Sequence, residues 1–300
     1  MQVATLIGRP GAGTLTPALA DRAAAAARAS AVYFLSDGTA CDLPLPAGRD
    51  HARETILEAI DGAPLDVVVQ PQDTRRKRVL LADMDSTVID EECIDELADE
   101  AGFGDHVAAV TQRAMRGEVD FESALRERVA LLDGLEWATI RDVLRTRIHE
   151  AAGAQALVAT MRARGAWCAL VSGGFTIFTE AVAERLGFHE HRANVLEWRG
   201  YRLSGRVREP ILGHDAKVEA LREIAAVQGL AAADVLAVGD GANDLGMIAA
   251  AGTGVAMHAK PVVAAAAPHR IDHGDLTALL YMQGYRESDF AQVDRPPTRS

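Results

Sequence analysis

The chain has 300 residues, of which 49% are hydrophobic and 25% charged, and its formal net charge is −12. This length exceeds that of a typical single core and suits two domains, or one domain with a large insertion. The acidic charge excludes the electrostatic footprint of a nucleic-acid-binding protein. No apolar stretch reaches membrane-spanning length, and the 3 well-separated cysteines fit a reducing compartment. We therefore expect a cytoplasmic protein with no nucleic-acid or membrane partner.

Short strands and helices alternate in the first 74 residues, which predicts a separate α+β domain. Asp37 and Gly38 join two of the strands as a hairpin turn. The order βαββαβ predicts a ferredoxin-like fold for residues 1–74, followed by a polar linker. The predicted elements are strands at 3–7, 31–36, 39–45 and 65–69 and helices at 16–28 and 49–60.

Apolar strands alternate with helices in the rest of the chain, which predicts an α/β core with a parallel sheet covered on both faces. We assign this core to residues 75–92 and 150–286. Residues 93–149 are almost wholly helical and too long for one crossover, so we predict that they form an inserted cap. The polar residues 287–300 are predicted to be a frayed tail.

Two acids, Asp83 and Asp85, directly follow the apolar strand 78–82. The two-residue period of extended chain points both carboxylates to one side. Open α/β sheets bind their ligands at the carboxyl ends of strands, which makes these acids catalytic candidates. Two acids that cap the next helix would give the same short motif, so Asp-x-Asp alone does not decide between the two interpretations.

A second apolar strand, 235–238, runs into Gly-Asp-Gly-Ala-Asn-Asp, which contains Asp240, Asn243 and Asp244. A turn whose Asn or Asp caps the next helix is again the alternative. Two adjacent strands that end in four carboxylates would concentrate negative charge, which is unfavourable unless protons or a cation neutralise it. Because all candidate ligands are hard oxygens, the expected ion is Mg²⁺.

Ser172 and Gly173 follow the strand 166–170, and a hydroxyl with neighbouring backbone amides at a helix start suits a phosphate oxygen. An ordinary helix N-cap is the alternative for Ser172. Lys217 becomes a candidate because a phosphate bound beside four acids needs a cation.

Taken together, these segments resemble the haloacid dehalogenase-like phosphohydrolases. The order is Asp-x-Asp-x-Thr, Ser-Gly-Gly, Lys and Gly-Asp-Gly-x-Asn-Asp, and the match covers most of residues 78–285. Within these, the segments DMDSTVIDEECIDELADEAG, MRGEVDFESALRERVALL, VSGGF and GDGANDLGMIAAAG are similar to the phosphoserine phosphatase family. The resemblance implies a Rossmann-like core with a helical cap, Mg²⁺ as cofactor, and hydrolysis of O-phosphoserine to serine and phosphate.

The resemblance also implies roles for individual residues. Asp83 is the expected nucleophile that becomes an aspartyl phosphate, and Asp85 is the expected general acid and base. Mg²⁺ is expected on Asp83, the Asp85 carbonyl and Asp240, with Asp244 in support. The residues expected to contact or support the phosphate and its ion are Ser172, Gly173, Lys217 and Asn243.

Substrate selection is expected in the cap. By resemblance, Arg128 binds the substrate carboxylate and Glu92 its ammonium, with Met115 and Phe121 as pocket walls. Spacing alone does not distinguish Arg128 from the other arginines of this region, which are Arg113, Arg116 and Arg126.

Residues 1–74 resemble the ACT regulatory family, which implies amino-acid binding and pairing into a homodimer. A scaffold that only assists folding or dimerisation is the alternative, since fold does not fix function. Two other functions stay open for the whole chain. One is a related phosphatase or phosphotransferase for another small phosphomonoester, and the other is an amino-acid-sensing regulator with an inactive phosphatase domain.

Overall fold

The computed structural model describes residues 1–48, 51–115 and 118–292. The strands are β1 Gln2–Gly8, β2 Tyr33–Ser36, β3 Ala40–Leu45, β4 Leu65–Pro71, β5 Val79–Ala82, β6 Trp167–Phe175, β7 Glu190–Asn194, β8 Leu196–Arg199, β9 Arg202–Val207, β10 Val235–Gly239, β11 Thr253–Met257 and β12 His269–Ile271. The helices are α1 Pro17–Ala27, α2 Ala52–Ile60, α3 Cys93–Glu100, α4 Gly104–Met115, α5 Phe121–Ala130, α6 Trp137–Thr146, α7 Ala154–Ala163, α8 Thr176–Leu186, α9 His214–Val227, α10 Leu245–Ala250, α11 Pro261–Ala266 and α12 Ala278–Met282.

The N-terminal domain has the predicted order βαββαβ, and its antiparallel sheet runs β2-β3-β1-β4. Thr16 caps α1 by accepting the Leu19 N–H at 3.2 Å, and Pro17 occupies the first helical position. Alternate residues of β1, Ala4 and Leu6, share a core with α1 and α2. The antiparallel sheet is compatible with the predicted ACT-like domain.

The other face of this sheet packs on the C-terminal part of the chain. Ile7 and Val68 belong to the same apolar cluster as α12. The Gln70 side chain donates a buried hydrogen bond to the Met282 carbonyl at 2.6 Å. The predicted polar linker is part of this contact, because Arg75 forms an ion pair with Asp42 of β3 at 2.8 Å and the Lys77 N–H donates to Gln283 Oε1, next to α12, at 3.0 Å. The linker therefore fixes the two parts of the chain together instead of separating them.

The core sheet is parallel and runs β12-β11-β10-β5-β6-β7, which confirms the predicted fold class. Ala82 at the end of β5 lies beside Val238 of β10 and Leu170 of β6. The carboxyl ends of these three strands therefore meet at one edge. Apolar clusters cover both faces of the sheet.

Helices α3 to α6 occupy the region that we predicted to be a cap. The chain segments before and after them run side by side, because the Asp90 N–H donates to the His149 carbonyl at 3.1 Å. The β8–β9 hairpin, for which we made no prediction, supports the cap from outside. The Gly134 N–H donates to the Leu203 carbonyl and the Leu203 N–H to the Leu135 carbonyl, both at 2.9 Å.

The residues predicted to form a frayed tail pack against the core as far as residue 291. Phe290 lies 5.2 Å from Tyr281 between ring centres, and the Ala291 N–H donates to Thr160 Oγ1 at 2.9 Å. Residues 293–300 lie outside the described part. Among the described residues, no helix has the length and apolar character needed to cross a membrane.

Candidate active site

A cavity of about 680 Å³ lies between the carboxyl edge of the parallel sheet and the cap. Two predicted residues, Lys217 and Asp244, are absent from its lining but lie directly behind Asp83. The side chain of Met115 is outside the described part of the structure. The predicted site residues that line the cavity are Asp83, Asp85, Glu92, Phe121, Arg128, Ser172, Gly173, Asp240 and Asn243.

A chain of ion pairs forms the floor of the cavity. The Lys217 ammonium lies 2.7 Å from Asp83 Oδ1 and 2.6 Å from Asp244 Oδ1, and only 1% of the Lys217 side chain is exposed. Asp83 is further held because its Oδ1 accepts the Met84 N–H at 2.8 Å. Lys217 thus fixes the position of Asp83 and supplies positive charge behind it.

Asp244 does not cap the helix that follows it. Its carboxylate accepts the Gly241 N–H at 3.0 Å and binds Lys217, and it makes no side-chain cap to α10. Gly239 makes room for it, since a Cβ there would lie 2.3 Å from Asp244 Cγ. The Asp244 side chain therefore caps the short turn that begins at Gly241, and the capping alternative is wrong for α10 itself.

The carboxylates of Asp83, Asp240 and Asp244 at the floor carry more negative charge than the single Lys217 ammonium neutralises. Burial, followed by the charge of Asp244, raises the pKa of Asp83 to about 7 despite the opposing effect of Lys217. Burial and the charge of Asp83 raise the pKa of Asp240 to about 6. Such a cluster favours the approach of a cation.

The residues present fit a divalent metal ion. Asp83, Asp240 and Asp244 each offer a carboxylate oxygen, and these oxygens lie within 4.8 Å of one another. Hard oxygen donors suit Mg²⁺ or Ca²⁺ rather than zinc. The Asp85 carboxylate is not in this cluster, and we predicted that Asp85 binds through its backbone carbonyl. Thr87, for which we made no prediction, donates to Asp240 Oδ1 at 3.3 Å.

Asp85 lies beside Asp83 in a different environment. Its Oδ2 accepts the Ser172 hydroxyl at 3.1 Å, and its Oδ1 accepts the Cys93 N–H at the first position of α3 at 3.0 Å. Asp85 therefore contacts the start of a helix and also faces the cavity, so the capping contact leaves its predicted catalytic role open. Burial is the main cause that raises the pKa of Asp85 to about 6.

The Ser-Gly-Gly segment is the end of a strand. β6 continues through Ser172 to Phe175, and α8 then begins without a side-chain cap. The N-cap alternative for Ser172 is therefore wrong. Ser172 Oγ instead accepts the Gly174 N–H at 2.8 Å. A Cβ at Gly174 would lie 2.7 Å from Asp85 Oδ2, so the glycine allows strand and acid to meet.

Among the described arginines of the cap, Arg128 is the one that lines the cavity. Its guanidinium makes long contacts, 3.3 Å to the Ala124 carbonyl and 3.4 Å to Thr111 Oγ1. Arg113 and Arg126 are instead engaged in exposed ion pairs on the outside of the cap. Arg116 lies outside the described residues. The structure therefore distinguishes Arg128 from Arg113 and Arg126, which their spacing in the sequence did not.

Glu92 lies at the rim of the cavity, where its Oε1 accepts the Ser86 hydroxyl at 2.9 Å. Partial burial of its carboxyl group, followed by the charge of Asp85, raises the pKa of Glu92.

Asp95 also lines the cavity, and sequence reasoning missed it. It lies in the first turn of α3, three positions after Glu92, and this short distance along the chain from a predicted site residue could have identified it.

The cap and the core touch at Phe121. A Cβ at Gly173 would lie 3.3 Å from Phe121 Cζ, so this aromatic ring lies on the backbone of β6.

Lys260 also lines the cavity, on the loop between β11 and α11, and sequence reasoning missed it. Its position after a strand end is the signal that could have identified it.

The sequence model for the haloacid dehalogenase-like hydrolase family matches residues 80–249, and the chain belongs to this family. It is 44% identical over 235 residues to a phosphoserine phosphatase of Archaeoglobus fulgidus. The aligned region covers 77% of this chain and 68% of the relative.

Two solved structures resemble the fold. A hydrolase of this family from Salmonella enterica serovar Typhi has a TM-score of 0.83 and 29% identity, covering 96% of this chain and 99% of its own. A phosphoserine phosphatase with an analogue of the phospho-aspartyl intermediate has a TM-score of 0.64 and 38% identity, covering 69% of this chain and 98% of its own.

Proposed function

We propose that this chain is a phosphoserine phosphatase that hydrolyses O-phosphoserine to serine and phosphate. The observation that carries the proposal is a single cavity with two chemically different ends. The core end has Asp83 beside Asp85, and the cap end has Arg128 and Glu92. The first pair suits a phosphoryl group and the second suits an amino acid. The similarity to phosphoserine phosphatases at 44% and 38% identity supports this substrate.

In the first step, an Asp83 carboxylate oxygen forms a bond to phosphorus while the bond between phosphorus and the serine oxygen breaks. Asp85 gives its proton to the departing serine oxygen. A pKa of about 6 makes Asp85 a competent acid near neutral pH. Before substrate binds, the Ser172 hydroxyl donates to Asp85 and holds this carboxyl group toward the cavity. Its single hydrogen would turn to the phosphate when substrate is bound.

In the second step, Asp85 takes a proton from water, and the water oxygen attacks the phosphorus of the aspartyl phosphate. Phosphate leaves and the Asp83 carboxylate is restored. The Lys217 ammonium, 2.7 Å from Asp83 Oδ1, stabilises this carboxylate as the leaving group. Splitting one displacement into two gives each step its own positioned proton donor or acceptor.

We propose Mg²⁺ as the cofactor. Asp83, Asp240 and the Asp85 carbonyl would hold it, with Asn243 and Asp244 in support. When bound, the ion supplies charge stabilisation to the phosphoryl oxygens. Ser172 and Gly173 line the same end of the cavity and are the proposed phosphate contacts.

Substrate selection is proposed to lie at the cap. A guanidinium binds a carboxylate bidentately, and the long contacts of Arg128 leave it able to do so. Glu92 would accept the substrate ammonium, with Phe121 and Met115 as walls. A cytoplasmic location, homodimer formation and amino-acid binding by residues 1–74 stay proposals. None of the described residues that line the cavity comes from the N-terminal domain.

The direct test compares phosphate release from O-phosphoserine, O-phosphothreonine and glucose 6-phosphate, each with Mg²⁺ and with EDTA. We expect Mg²⁺-dependent turnover with phosphoserine strongly preferred. Preference for a sugar phosphate would favour the related phosphatase instead. Absence of turnover on all three substrates, by folded protein with Mg²⁺, would favour the inactive regulator.

A further inference from the structure

Lysine is rare in this chain, which has 3 lysines and 28 arginines. Two of the lysines are buried and have fixed partners. Lys77 donates to the Ala233 carbonyl, and Lys217 lies between Asp83 and Asp244. Lys260 is exposed. Among the described residues, Lys260 is therefore the one exposed lysine, and the other exposed long cationic side chains are arginines. This exception suggests that its surroundings favour lysine over arginine.

Lys260 lies at the rim of the cavity on its core side. It precedes α11, and its backbone N–H contacts the Asp240 carbonyl at 3.4 Å. The next residues of this loop, Val262 and Val263, also line the cavity. The loop thus connects the floor, at Asp240, with the entrance.

The charged groups around the cavity are unbalanced. Only Arg128 and Lys260 carry positive charge among the described lining residues, and Arg128 lies deeper under the cap. Phosphoserine is an anion at neutral pH and must pass this acidic entrance. The Lys260 ammonium acts on acids across the cavity, because its charge opposes the rise in the pKa of Glu92 and of Asp95. The lining acids are Asp83, Asp85, Glu92, Asp95 and Asp240.

We propose that Lys260 is a substrate-binding residue that attracts anionic phosphomonoesters to the cavity and contacts them on entry. This inference rests on the proposed phosphatase function and adds a second cation to the cap arginine. Arg128 selects the carboxylate of the substrate, whereas Lys260 acts on its net negative charge and hence on any phosphomonoester.

The chemistry of lysine suits this role. An arginine at the rim could form a bidentate pair with Glu92 or Asp95 and so occupy the acids that face the substrate. An ammonium on a flexible stem is a compact charge that forms a looser contact. Among the described residues, Lys260 forms no ion pair with either acid, and the ion pairs made by a lysine side chain are those of Lys217 with Asp83 and Asp244.

The test compares the parent with Lys260→Met and Lys260→Arg on phosphoserine and on p-nitrophenyl phosphate at low and high salt. We expect Lys260→Met to lower kcat/KM about tenfold on both substrates at low salt, with kcat nearly unchanged. Salt screens the field, so this gap should close to about twofold near 0.5 M. Lys260→Arg should retain the salt dependence of the parent. Arg22→Met removes an exposed charge from α1 and should change nothing.

A loss in Lys260→Met that is equal at low and high salt, or one confined to kcat, would overturn the inference. Unchanged kcat/KM would overturn it too. If the parent hydrolyses only p-nitrophenyl phosphate, the proposed substrate fails while the Lys260 comparison still applies. Calorimetric binding of inorganic phosphate to the same variants gives a readout that needs no turnover, with the same salt-dependent weakening expected for Lys260→Met.

Discussion

The core side of the cavity holds its charged groups in contact with one another, whereas the cap side holds them apart. On the core side, Lys217 lies within 2.7 Å of both Asp83 and Asp244, and all three are buried. On the cap side, Arg128 is half-buried and its described contacts measure 3.3 and 3.4 Å. Groups fixed before substrate arrives suit chemistry common to all phosphomonoesters, and groups with spare hydrogen-bonding capacity suit recognition.

The largest expected effect is on the core side. Asp83→Asn removes the proposed nucleophile, because an amide cannot form the aspartyl phosphate, and we expect kcat to fall by more than about 10³-fold on every substrate. Steady-state phosphate release measures this, and circular dichroism checks the fold. Asp90→Asn, an exposed acid in the same segment, is the matched control. Substantial phosphoserine hydrolysis by folded Asp83→Asn would show that another group is the nucleophile.

A smaller and selective effect is expected on the cap side. Arg128→Met should lower kcat/KM for phosphoserine about 10²-fold, since a bidentate charge-assisted contact is lost. The same variant should change kcat/KM for p-nitrophenyl phosphate, which has no carboxylate, by less than about threefold. Arg126→Met, which affects the exposed pairs with Glu122 and Glu209, is the matched control. Equal losses on both substrates would make Arg128 a structural or phosphate-binding residue.

The smallest effect is expected where the two sides touch. A Cβ at Gly173 would meet Phe121 Cζ at 3.3 Å, and this ring can shift by a few tenths of an ångström. We expect Gly173→Ala to raise KM for phosphoserine about threefold and to leave kcat nearly unchanged.

Gly174→Ala is the comparison for that variant, because its Cβ would lie 2.7 Å from Asp85 Oδ2 and must displace the acid. We expect it to lower kcat by about 10²-fold, the range of general acid and base catalysis. Steady-state kinetics of both variants test the assignment. If Gly173→Ala lowered kcat as much as Gly174→Ala, the division between the two sides would be wrong.

The sequence predicted the core side better than the cap side, for a physical reason. Asp83 and Asp240 directly follow strands and Ser172 lies in the last part of one. Because the ends of adjacent parallel strands must meet, local pattern alone brings these residues together. Arg128 lies on a cap helix, and helical spacing leaves several arginines equal until the packing of the cap is known. Its assignment in the sequence rested on resemblance.

Other features depend on contacts between distant segments, which local pattern does not contain. The pair of Lys217 and Asp244 joins positions 27 residues apart. The Pro71–Lys77 segment has the polar composition of a linker, yet its Arg75 pairs with Asp42 of the N-terminal sheet and its Lys77 N–H donates to Gln283 of the core. The β8–β9 hairpin is stabilised by pairing with the cap, as at Leu203, rather than by a strong strand pattern. These features could be recognised only from the assembled fold.

Trapping of the phosphoenzyme tests the central claim most directly. The protein would be mixed with O-phosphoserine and Mg²⁺, quenched in acid within one turnover, digested and analysed by mass spectrometry. We predict one added phosphoryl group on Asp83 and none on Asp83→Asn treated in the same way. A phosphoryl group on Ser172 or another residue, or turnover without any phosphorylated intermediate, would contradict the account.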